Sequence, residues 1–479
     1  MSIKPILDWS SYRDAGLGDA YADIPKIGGN FARAISVCIN SQQCENTDKG
    51  VMCPSYRATG SDMLSPGGRV RLLKAALKTS KVRTSLAKAE IAEAMDLCVG
   101  CKGCKRECEN SVDMAMIKVE YLAQQHQRKR PGLRTRLLAS LSQQLHRGAA
   151  LARLIRLRNR SRALAFLGKT LLGISPQRSL PEPVSDTALK RLADDDKAKT
   201  VDQPLDELVL LIDTFTNNFA PENAQAARQV LQRAGYRVFI AEAPQGERPL
   251  CCGRTHLANG LVREAKDEAL RMLEVLTPHV QAGRKIIGLE PACLLAIRDD
   301  YLFLGLGNEA RRLSAQALLL EEFIAREISA KRFALELWPV DTGEQPLLVH
   351  GHCHQKAVGA MKAMRKVLKA IPDLQFEMIE ASCCGGAGSF GIEDEHAHLS
   401  LQMAEQALLP ALREKPDAPL LASGFSCRHQ IHDTTERKPI HLASLLLQAS
   451  IGSAHALQPS SLQSRSLKPG PLQPQESLP

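Results

Sequence analysis

The cysteines Cys98, Cys101, Cys104 and Cys108 are the residues whose spacing points most directly to a chemistry. Their C-x2-C-x2-C-x3-C run is the pattern that wraps an iron–sulfur cluster, because three closely spaced thiolates point into one loop and the fourth reaches a second cluster. A tetrahedral zinc site is the alternative, since paired C-x2-C units also bind zinc. The triple run, with three residues before its last cysteine, favours iron–sulfur.

An earlier cysteine supplies the ligand that this run lacks. In ferredoxins with two clusters, the last cysteine of each run binds the cluster of the other run. Cys53 is followed by Pro54, as such a crossing ligand usually is. One complete 4Fe-4S ligand set is therefore predicted, with the members Cys53, Cys98, Cys101 and Cys104.

The second predicted cluster has one thiolate fewer. Cys38 and Cys44 are separated by five residues, and Ser41 stands where a middle cysteine would be. Cys108 supplies the third thiolate. Three outcomes stay open: a 3Fe-4S cluster, a 4Fe-4S cluster with an unusual fourth ligand, or no cluster, with these cysteines as small buried apolar side chains. A cluster is favoured, because Cys38 and Cys44 otherwise have no partners.

Seven more cysteines lie in two similar segments of the second half of the chain. Each segment has an adjacent cysteine pair and a closing cysteine, 41 residues after the pair in the first copy and 43 in the second. Thiols gathered at the interface of such a repeat predict a metal or redox site. They are Cys251, Cys252 and Cys293 in the first copy and Cys353, Cys383, Cys384 and Cys427 in the second.

Three histidines surround Cys353 in the sequence HGHCH. If the strand continues through this sequence, His350, His352 and His354 share one face and Cys353 lies on the other. Such a face could bind a metal, but loop histidines held by hydrogen bonds are more common. In the first copy, Asp213 or one of its neighbours occupies the region of Cys353.

The elements around these cysteines differ between the two halves of the chain. Apolar residues recur three and four apart in 67–78 and 85–98, which predicts helices between the cluster loops. After residue 204, apolar strands alternate with helices, and the order strand, helix, strand, cysteine pair, helix, strand occurs twice. The predicted fold is multidomain, with an all-α ferredoxin-like two-cluster module followed by a duplicated α/β cysteine-rich (CCG) domain.

These patterns divide the chain into seven predicted segments. They are an N-terminal extension at 1–30, a helical 4Fe-4S ferredoxin-type domain at 31–125, basic amphipathic helices at 126–178, a linker at 179–204, CCG repeat 1 at 205–335, CCG repeat 2 at 336–450 and a disordered tail at 451–479.

The positive charge of the chain is concentrated in one segment. Residues 128–178 hold thirteen Lys or Arg and no Asp or Glu, which exceeds the net charge of +10 for the whole chain. Leucines at helical spacing make these basic amphipathic helices. They could lie on an anionic membrane surface, pack on their own module with a solvated basic face, or dock on an acidic partner. Aromatic interleaving and a recognisable reading module are missing, so no nucleic-acid partner is predicted.

Targeting signals are not evident in the sequence. No stretch approaches eighteen uninterrupted apolar residues, and the N-terminus lacks the profile of a secretory signal. Fourteen cysteines in such a chain indicate reduced, metal-binding thiols rather than a disulfide framework. A cytoplasmic location is predicted, with peripheral contact to the inner face of the membrane through residues 128–178 as one alternative.

The motifs together resemble those of the iron–sulfur subunits of FAD-linked 2-hydroxy-acid dehydrogenases. Glycolate oxidase, D-lactate and D-2-hydroxyglutarate dehydrogenases, and anaerobic glycerol-3-phosphate dehydrogenase have such partners. The C-x5-C-x8-C-P opening, CVGCKGCKREC with VDMA after it, LCCG…EPAC, HGHCH, CCGGAGSFG and SGFSC are most similar to the iron–sulfur half of large fused D-2-hydroxyglutarate or D-lactate dehydrogenases. The resemblance covers about residues 30–450.

This resemblance implies an oxidoreductase component that passes electrons from a flavin to a quinone or cytochrome acceptor. The flavin domain of the fused enzymes does not occur in this sequence, so FAD is expected on a partner chain, an FAD-binding 2-hydroxy-acid dehydrogenase subunit. In heterodisulfide reductase relatives a repeat ends in C-x2-C and can hold an unusual cluster, whereas here Cys293 and Cys427 close their motifs alone. Two alternatives stay open: a heterodisulfide-reductase-like thiol–disulfide catalyst that uses the CCG repeats, and a zinc-stabilised scaffold.

Overall fold

The structure, a computed structural model, describes residues 3–12, 24–25, 27–46, 50–146, 149–195 and 204–452. Residues 13–23 of the predicted extension and nearly all of the predicted tail lie outside these ranges. Helices occupy the described chain before residue 204, and parallel sheets with helices follow it. The prediction of a helical region followed by an α/β region is therefore confirmed.

Short helices carry the first cysteine groups at their ends. Pro54 and Pro66 stand in first turns, where a missing N–H costs nothing, and the Ser65 hydroxyl accepts the Gly68 N–H to cap one helix. The helices here are α1 (Gly29–Ser36), α2 (Pro54–Thr59), α3 (Pro66–Leu77), α4 (Val82–Ser85), α5 (Ala89–Asp96), α6 (Gly103–Glu107) and α7 (Met114–His126). Single 3-10 turns lie at Trp9–Ser11, Gln43–Glu45, Asp62–Leu64, Asp300–Phe303 and Phe390–Ile392.

The N-terminal segment is bound to the helical region by a buried carboxylate. Glu120 of α7 accepts the backbone N–H of Ile6 at 2.9 Å and of Leu7 at 2.8 Å, and Trp9 donates its indole N–H to the same carboxylate. Trp9 also packs edge-on against Phe303, at 5.3 Å between ring centroids. The segment thus joins the helical region to the α/β region, a role that its sequence did not indicate.

The basic segment forms helices that continue from the helical region. They are α8 (Leu133–Ala139), α9 (Leu141–His146), α10 (Ala149–Arg160) and α11 (Arg162–Leu172). Helices α10 and α11 pack against each other as a hairpin (the basic hairpin), and the Ser161 hydroxyl between them accepts the Leu164 N–H.

The segment at 179–204, predicted as an exposed linker, contains a packed helix. Helix α12 (Ala188–Asp195) buries Ala188 and Leu192 in a core that also contains Leu231. The two residues are four apart and lie on one face of the helix, which explains why this short element is packed rather than solvated.

Two parallel sheets build the α/β region. The first has the strand order β2-β1-β3-β4 and the second has the order β6-β5-β7. The strands are β1 (Glu207–Leu211), β2 (Arg237–Ile240), β3 (Lys285–Gly288), β4 (Ala317–Leu319), β5 (Leu347–His350), β6 (Phe376–Met378) and β7 (Leu420–Ala422). The helices are α13 (Thr214–Phe219), α14 (Pro221–Arg233), α15 (Arg254–Ala258), α16 (Val262–Gln281), α17 (Pro291–Arg298), α18 (Gly307–Gln316), α19 (Leu320–Ser329), α20 (Cys353–Ala357), α21 (Met361–Leu368), α22 (Ala397–Glu405), α23 (Leu408–Glu414), α24 (Phe425–Thr435) and α25 (Leu442–Ser450).

The two sheets place corresponding elements at corresponding positions. In each, the first strand in the chain is flanked by the second and the third, although the first sheet has an additional edge strand. The helix after the first strand is capped by the side chain of Asp213 in one case and of His352 in the other. Cys293 and Cys427 both lie at the third position of the helix after the third strand. Parallel strands direct these helix starts toward one edge of each sheet, where the cysteines collect.

Candidate metal centres

The four cysteines predicted to hold one cluster surround a single cavity. Cys53, Cys98, Cys101 and Cys104 (the four-thiol set) line a partly enclosed space of about 300 Å³ together with the apolar side chains of Met52 and Met114. Each of the four residues is less than 9% exposed. Four convergent thiols in a buried, largely apolar cavity are the donors that a 4Fe-4S cluster needs, so the residues present fit that group.

A buried arginine lies against the crossing cysteine. Arg69 of α3 is 1% exposed and donates from Nη1 to the Cys53 Sγ at 3.4 Å. Its other donors bind Ser55 Oγ at 2.9 Å and the Ala94 carbonyl at 2.6 Å, so its position is fixed on three sides. Burial alone would raise the pKa of Cys53, but the guanidinium and the Ser55 hydroxyl hold that pKa below its ordinary value. The thiolate form needed for metal binding is thereby favoured.

The loop of the four-thiol set is held by an ion pair to the first sheet. Lys102, between two of the cysteines, is 3% exposed and donates to Asp299 at 2.7 Å and to Asp300. Lys105 binds Asp299 on its other oxygen at 2.7 Å. Although burial opposes charge, these lysines hold the pKa of Asp299 well below its ordinary value. Asp299 and Asp300 thus neutralise the cationic loop by direct ion pairs.

The second sheet holds the same loop from the other side. His354 Nε2 donates to the Gly100 carbonyl oxygen at 3.0 Å. Ser382 donates its hydroxyl to the Val51 carbonyl. Val51 also donates its N–H to Glu107 at 2.7 Å, which joins the chain before Cys53 to the end of the four-cysteine run. The four-thiol set therefore lies where the helical region meets both sheets.

The remaining cysteines of the helical region form a second, more open group. Cys38, Cys44 and Cys108 (the three-thiol set) are each partly exposed. Burial raises the pKa of Cys38, and the neighbouring Cys108 thiol adds to that shift; Cys38 acts on Cys44 in the same way. The Gly67 N–H donates to Cys44 Sγ at 3.4 Å, and a Cβ at Gly67 would come within 3.3 Å of that sulfur. Three thiols approach one another here, and Ser41 is exposed.

The first sheet collects its three cysteines at one cavity. Cys251, Cys252 and Cys293 (the first-sheet thiols) line a space of about 250 Å³ with Thr214 and Phe215. Cys252 contacts Cys251 and Cys293; the hydrogen bond with Cys251 lowers the pKa of Cys252, but the contact with Cys293 and burial raise it well above its ordinary value. Tyr301 donates its hydroxyl to the Cys252 carbonyl at 3.1 Å. The pKa values of all three cysteines are raised, which keeps them as neutral thiols.

The second sheet collects four cysteines and a histidine. Cys353, Cys383, Cys384 and Cys427 (the second-sheet thiols) are all 9% exposed or less. One imidazole nitrogen of His350 and the sulfurs of Cys384 and Cys427 lie within 4.8 Å of one another. Cys383 contacts both Cys353 and Cys384. These thiols adjoin the four-thiol set, because Cys353 and Cys383 pack with Cys101 in one small buried cluster.

The three histidines of HGHCH do not share a strand face. Strand β5 ends at His350, and His352 accepts the His354 N–H at the start of α20, so the alternation expected for a strand does not apply. His354 binds the Gly100 carbonyl. His350 hydrogen-bonds with Cys384, and the three histidines do not share one strand face.

A further histidine joins the two regions near the start of the cysteine run. His396 lies 2.8 Å from the carboxylate of Asp96 and 2.9 Å from that of Glu393, and it stacks on Phe390. Burial works against its charge, but the two carboxylates raise its pKa to about 9. The sequence analysis did not identify His396, Arg69, Lys102 or Glu107. The role of each depends on partners in other elements of the fold.

Comparison with known proteins identifies two parts of the chain. Residues 34–112 match the family model described as a 4Fe-4S dicluster domain, and residues 347–432 match the one described as a cysteine-rich domain. The first match contains the four-thiol and three-thiol sets, and the second contains the second-sheet thiols. The iron–sulfur and cysteine-rich character predicted from the motifs is confirmed.

Similar curated proteins are oxidoreductases or their subunits. D-2-hydroxyglutarate dehydrogenase of Escherichia coli is 24% identical over 84% of this chain and 43% of its own length. The glycolate oxidase iron-sulfur subunit of Escherichia coli is 23% identical over 87% of this chain and 94% of its own length. A subunit of the anaerobic glycerol-3-phosphate dehydrogenase of the same organism is 26% identical over 51% of this chain and 59% of its own length. The predicted resemblance to these proteins is confirmed, although the chain spans less than half of the dehydrogenase in the first match.

Proposed function

We propose that this chain is the iron–sulfur electron-transfer component of an FAD-linked 2-hydroxy-acid dehydrogenase. The observation that carries the proposal is the convergence of Cys53, Cys98, Cys101 and Cys104 on one buried cavity where the helical region meets the two sheets. Bound 4Fe-4S clusters would each accept and release one electron. The FAD would lie on a partner subunit, and a quinone or cytochrome would be the acceptor.

The residues around the four-thiol set have roles that suit such a centre. Met52 and Met114 line the cavity with apolar side chains. Arg69 stabilises the thiolate of Cys53, and hydrogen bonds to cluster sulfurs are among the factors that tune reduction potentials. Lys102 neutralises buried carboxylates and fixes the loop. We infer that Cys108, Cys38 and Cys44 hold a second cluster of the 3Fe-4S or 4Fe-4S type.

The proposal is tested by purifying the chain anaerobically and measuring iron, acid-labile sulfide and flavin, with low-temperature EPR of the reduced and oxidised forms. We expect iron and sulfide on this chain, and flavin only after co-purification with its partner. Flavin bound to the isolated chain would contradict the assignment of FAD to another subunit. Absence of iron and sulfide would contradict the electron-transfer role and favour the zinc-stabilised scaffold.

A second candidate is thiol–disulfide catalysis by the cysteine pairs of the sheets. The observation that favours it is the contact of Cys252 with Cys293 and of Cys384 with Cys427, which puts two thiols of each set within reach of a disulfide. Disulfide reductase turnover that is lost in C383S and C384S, with iron content unchanged, would support it. Turnover that is absent from the wild type would exclude it.

The repeat predicted for the two sheets bears on this second candidate. Their shared strand order and helix caps support the inference that they are two copies of one CCG unit, although the matched cysteine-rich domain covers only the second. Both copies would then present the same pair of thiols, and reductase activity in one should be accompanied by activity in the other.

Peripheral contact with a membrane is proposed for the basic hairpin. No helix in the described part of the chain has the length and apolar character that spanning a bilayer requires. The hairpin nevertheless exposes large apolar side chains among its arginines, namely Leu154, Leu157, Phe166, Leu167 and Leu171. Other basic residues of the segment pair within the chain, since Arg134 binds Glu395, Lys169 binds Asp394 at 3.1 Å and Arg178 binds Asp433 at 3.0 Å. The apolar row is what an interfacial helix would insert.

Liposome binding tests whether the basic hairpin contacts a membrane. Vesicles with and without anionic lipid should be sedimented with the full chain, with an L154E/F166E/L171E variant and with an L270E control on exposed Leu270 of α16. Binding to anionic vesicles that only the triple variant loses would support membrane contact. Equal, negligible binding of wild type and variant would exclude it and leave an acidic partner or a solvated face.

A further inference from the structure

Two cations from different helices meet at the C-terminal end of α5, just before the cysteine run. Arg69 of α3 donates from Nε to the Ala94 carbonyl oxygen at 2.6 Å. Lys118 of α7 donates from Nζ to the Asp96 carbonyl oxygen at 3.0 Å and to the Cys98 carbonyl oxygen at 2.7 Å. Both side chains therefore lie against the backbone that leads into the four-thiol set.

The two cations lack a direct counter-charge. Neither forms an ion pair with an Asp or Glu of the described residues, and the Asp96 carboxylate lies 2.8 Å from His396 instead. Burial lowers the pKa of Lys118, Cys98 and two carboxylates beyond ion-pair distance oppose that shift, and Arg69 adds to it. The two cations thus act on each other. Like charges in a buried place cost free energy unless an anion balances them.

The lysines of the cysteine run, in contrast, have carboxylate partners. Three cations and three carboxylates are joined there by ion pairs, namely Lys102, Lys105 and Arg254 with Asp113, Asp299 and Asp300. Charge within that group is balanced, so it leaves none for the thiolates of the loop. Arg69 and Lys118 together carry the charge that remains for another anion.

A cluster in the four-thiol set would be that anion. Four thiolates around a 4Fe-4S core have a net charge of about −2, and of about −3 after one electron is accepted. Burial opposes this increase in negative charge, whereas nearby cations and hydrogen-bond donors favour it. Arg69 would act directly, through its 3.4 Å contact with Cys53 Sγ. Lys118 would act on Cys98 through the carbonyl oxygen of that residue.

We propose that Arg69 and Lys118 form a cation pair that balances the charge of the four-thiol centre and raises its reduction potential. This role rests on the electron-transfer function proposed above. It makes Lys118 a positioning residue, because its contact is with the backbone of a ligand and not with a thiol. Lys118 also caps the end of α5, where a cation is favourable. Its contact with Cys98, two residues beyond that helix, is the shorter of the two and favours a role at the centre.

The test replaces Lys118 and leaves every donor to a thiol in place. Full-length K118Q, K118M and K118R are purified anaerobically, iron and sulfide are measured, and the midpoint potential is determined by redox titration followed by EPR. The signal that C104S removes identifies the four-thiol centre. We expect K118Q and K118M to lower the ratio of reduced to oxidised centre by about tenfold at a fixed potential, which is about 59 mV for one electron. K118R keeps the charge and should restore a value close to that of the wild type.

K88M is the matched control, because Lys88 is exposed and stands at the other end of α5. It removes the same charge far from the cysteine run and should leave the potential unchanged. Thermal unfolding of all variants separates capping from charge balance, since a cap alone would lower the melting temperature of K118M without changing the potential.

An unchanged potential in K118Q and K118M, with iron and sulfide present, would overturn the proposal. A shift of equal size in K118R would also overturn it, because the charge would then not be the cause. Iron that is lost from both neutral variants but kept in K118R would support the charge balance, whereas iron lost from all three would overturn it. Wild-type chain without iron and sulfide would instead refute the electron-transfer function itself.

Discussion

The two thiol sets of the helical region are neighbours, yet the structure treats them differently. The four-thiol set is enclosed, with each cysteine less than 9% exposed, a buried arginine on one thiol and contacts to both sheets. The three-thiol set is partly exposed and has a serine where a fourth thiol would be. Of the two sets, the one with four cysteines is also the more deeply buried. A complete set is built into the junction of the regions, and an incomplete one is left near the surface.

Removing one thiol from each set should produce the largest difference between the two sets. C104S is expected to eliminate about half of the iron and sulfide and to lower the melting temperature, because the cavity and the contacts of its loop are lost together. C38S should remove a similar amount of iron, or less if that cluster has three irons, with little change in melting temperature. Metal analysis and thermal unfolding of the two variants provide the measurement. Equal destabilisation by both would show that the enclosure of the four-thiol set has no energetic consequence.

Replacing the buried arginine should affect only the enclosed set. R69Q leaves a thiolate, a hydroxyl and a carbonyl without their donor, and loss of one partner of such a buried pair costs about 3 kcal/mol in the free energy of unfolding. R71Q on the same helix is the control, because Arg71 is half exposed and its ion pair with Glu45 at 3.9 Å contributes under about 1 kcal/mol. Chemical denaturation of both variants measures the difference. Similar values for the two would refute the assigned role of Arg69.

Adding a fourth cysteine to the three-thiol set should make the two sets alike. S41C places a cysteine at the middle position of the first run, and we expect the second cluster to become a four-iron cluster with four thiolates. If the wild-type cluster has three irons, its oxidised EPR signal should disappear in S41C and iron should rise by about one per chain. Q42C is the control, because Gln42 is the next residue and is also exposed, but it stands outside the spacing of the run. A rise in iron with Q42C as well would show non-specific metal binding.

The smallest expected effect concerns the histidine that links the regions at the start of the run. His396 faces Asp96 and Glu393, Arg134 lies 3.8 Å from Glu393, and the pKa of His396 is raised to about 9. A raised pKa stabilises the fold fully below the ordinary histidine value near 6.5 and loses that contribution as pH rises through about 9. Because Asp96 is largely exposed, the contribution is about 1–2 kcal/mol.

Unfolding measured from about pH 7 to pH 10 tests this contribution. The wild type should lose more stability over that range than H396Q, which cannot gain or lose the charge. Parallel profiles for the two proteins would show that the histidine is not charged in the folded state.

The grouping of the cysteines could be predicted from the sequence better than their surroundings could. Cysteine spacing is a local property, so the grouping of Cys53 with the run could be inferred from the crossing pattern alone. Helical periodicity likewise predicted α3 and α5, and the alternation of apolar strands with helices predicted the α/β region. The roles of Lys102 and His396 could not be inferred, because their partners lie 198 and 300 residues away; the partners of Arg69 lie within 25 residues, but their contact depends on how the short helices pack. For HGHCH the condition for a shared histidine face, a strand that continues past His350, is not met, and a short motif does not show where a strand ends.

The ion pair of Lys102 has a consequence for the timing of synthesis. Its partners Asp299 and Asp300 follow it by 197 and 198 residues in the chain. A ribosome that adds about 5–20 residues per second therefore needs roughly 10–40 s between making the lysine and making its carboxylates. During that interval the loop with Cys101 and Cys104 lacks the ion pairs that later hold Lys102. A protein that delivers the cluster could reach the loop during that interval, before the first sheet folds against it.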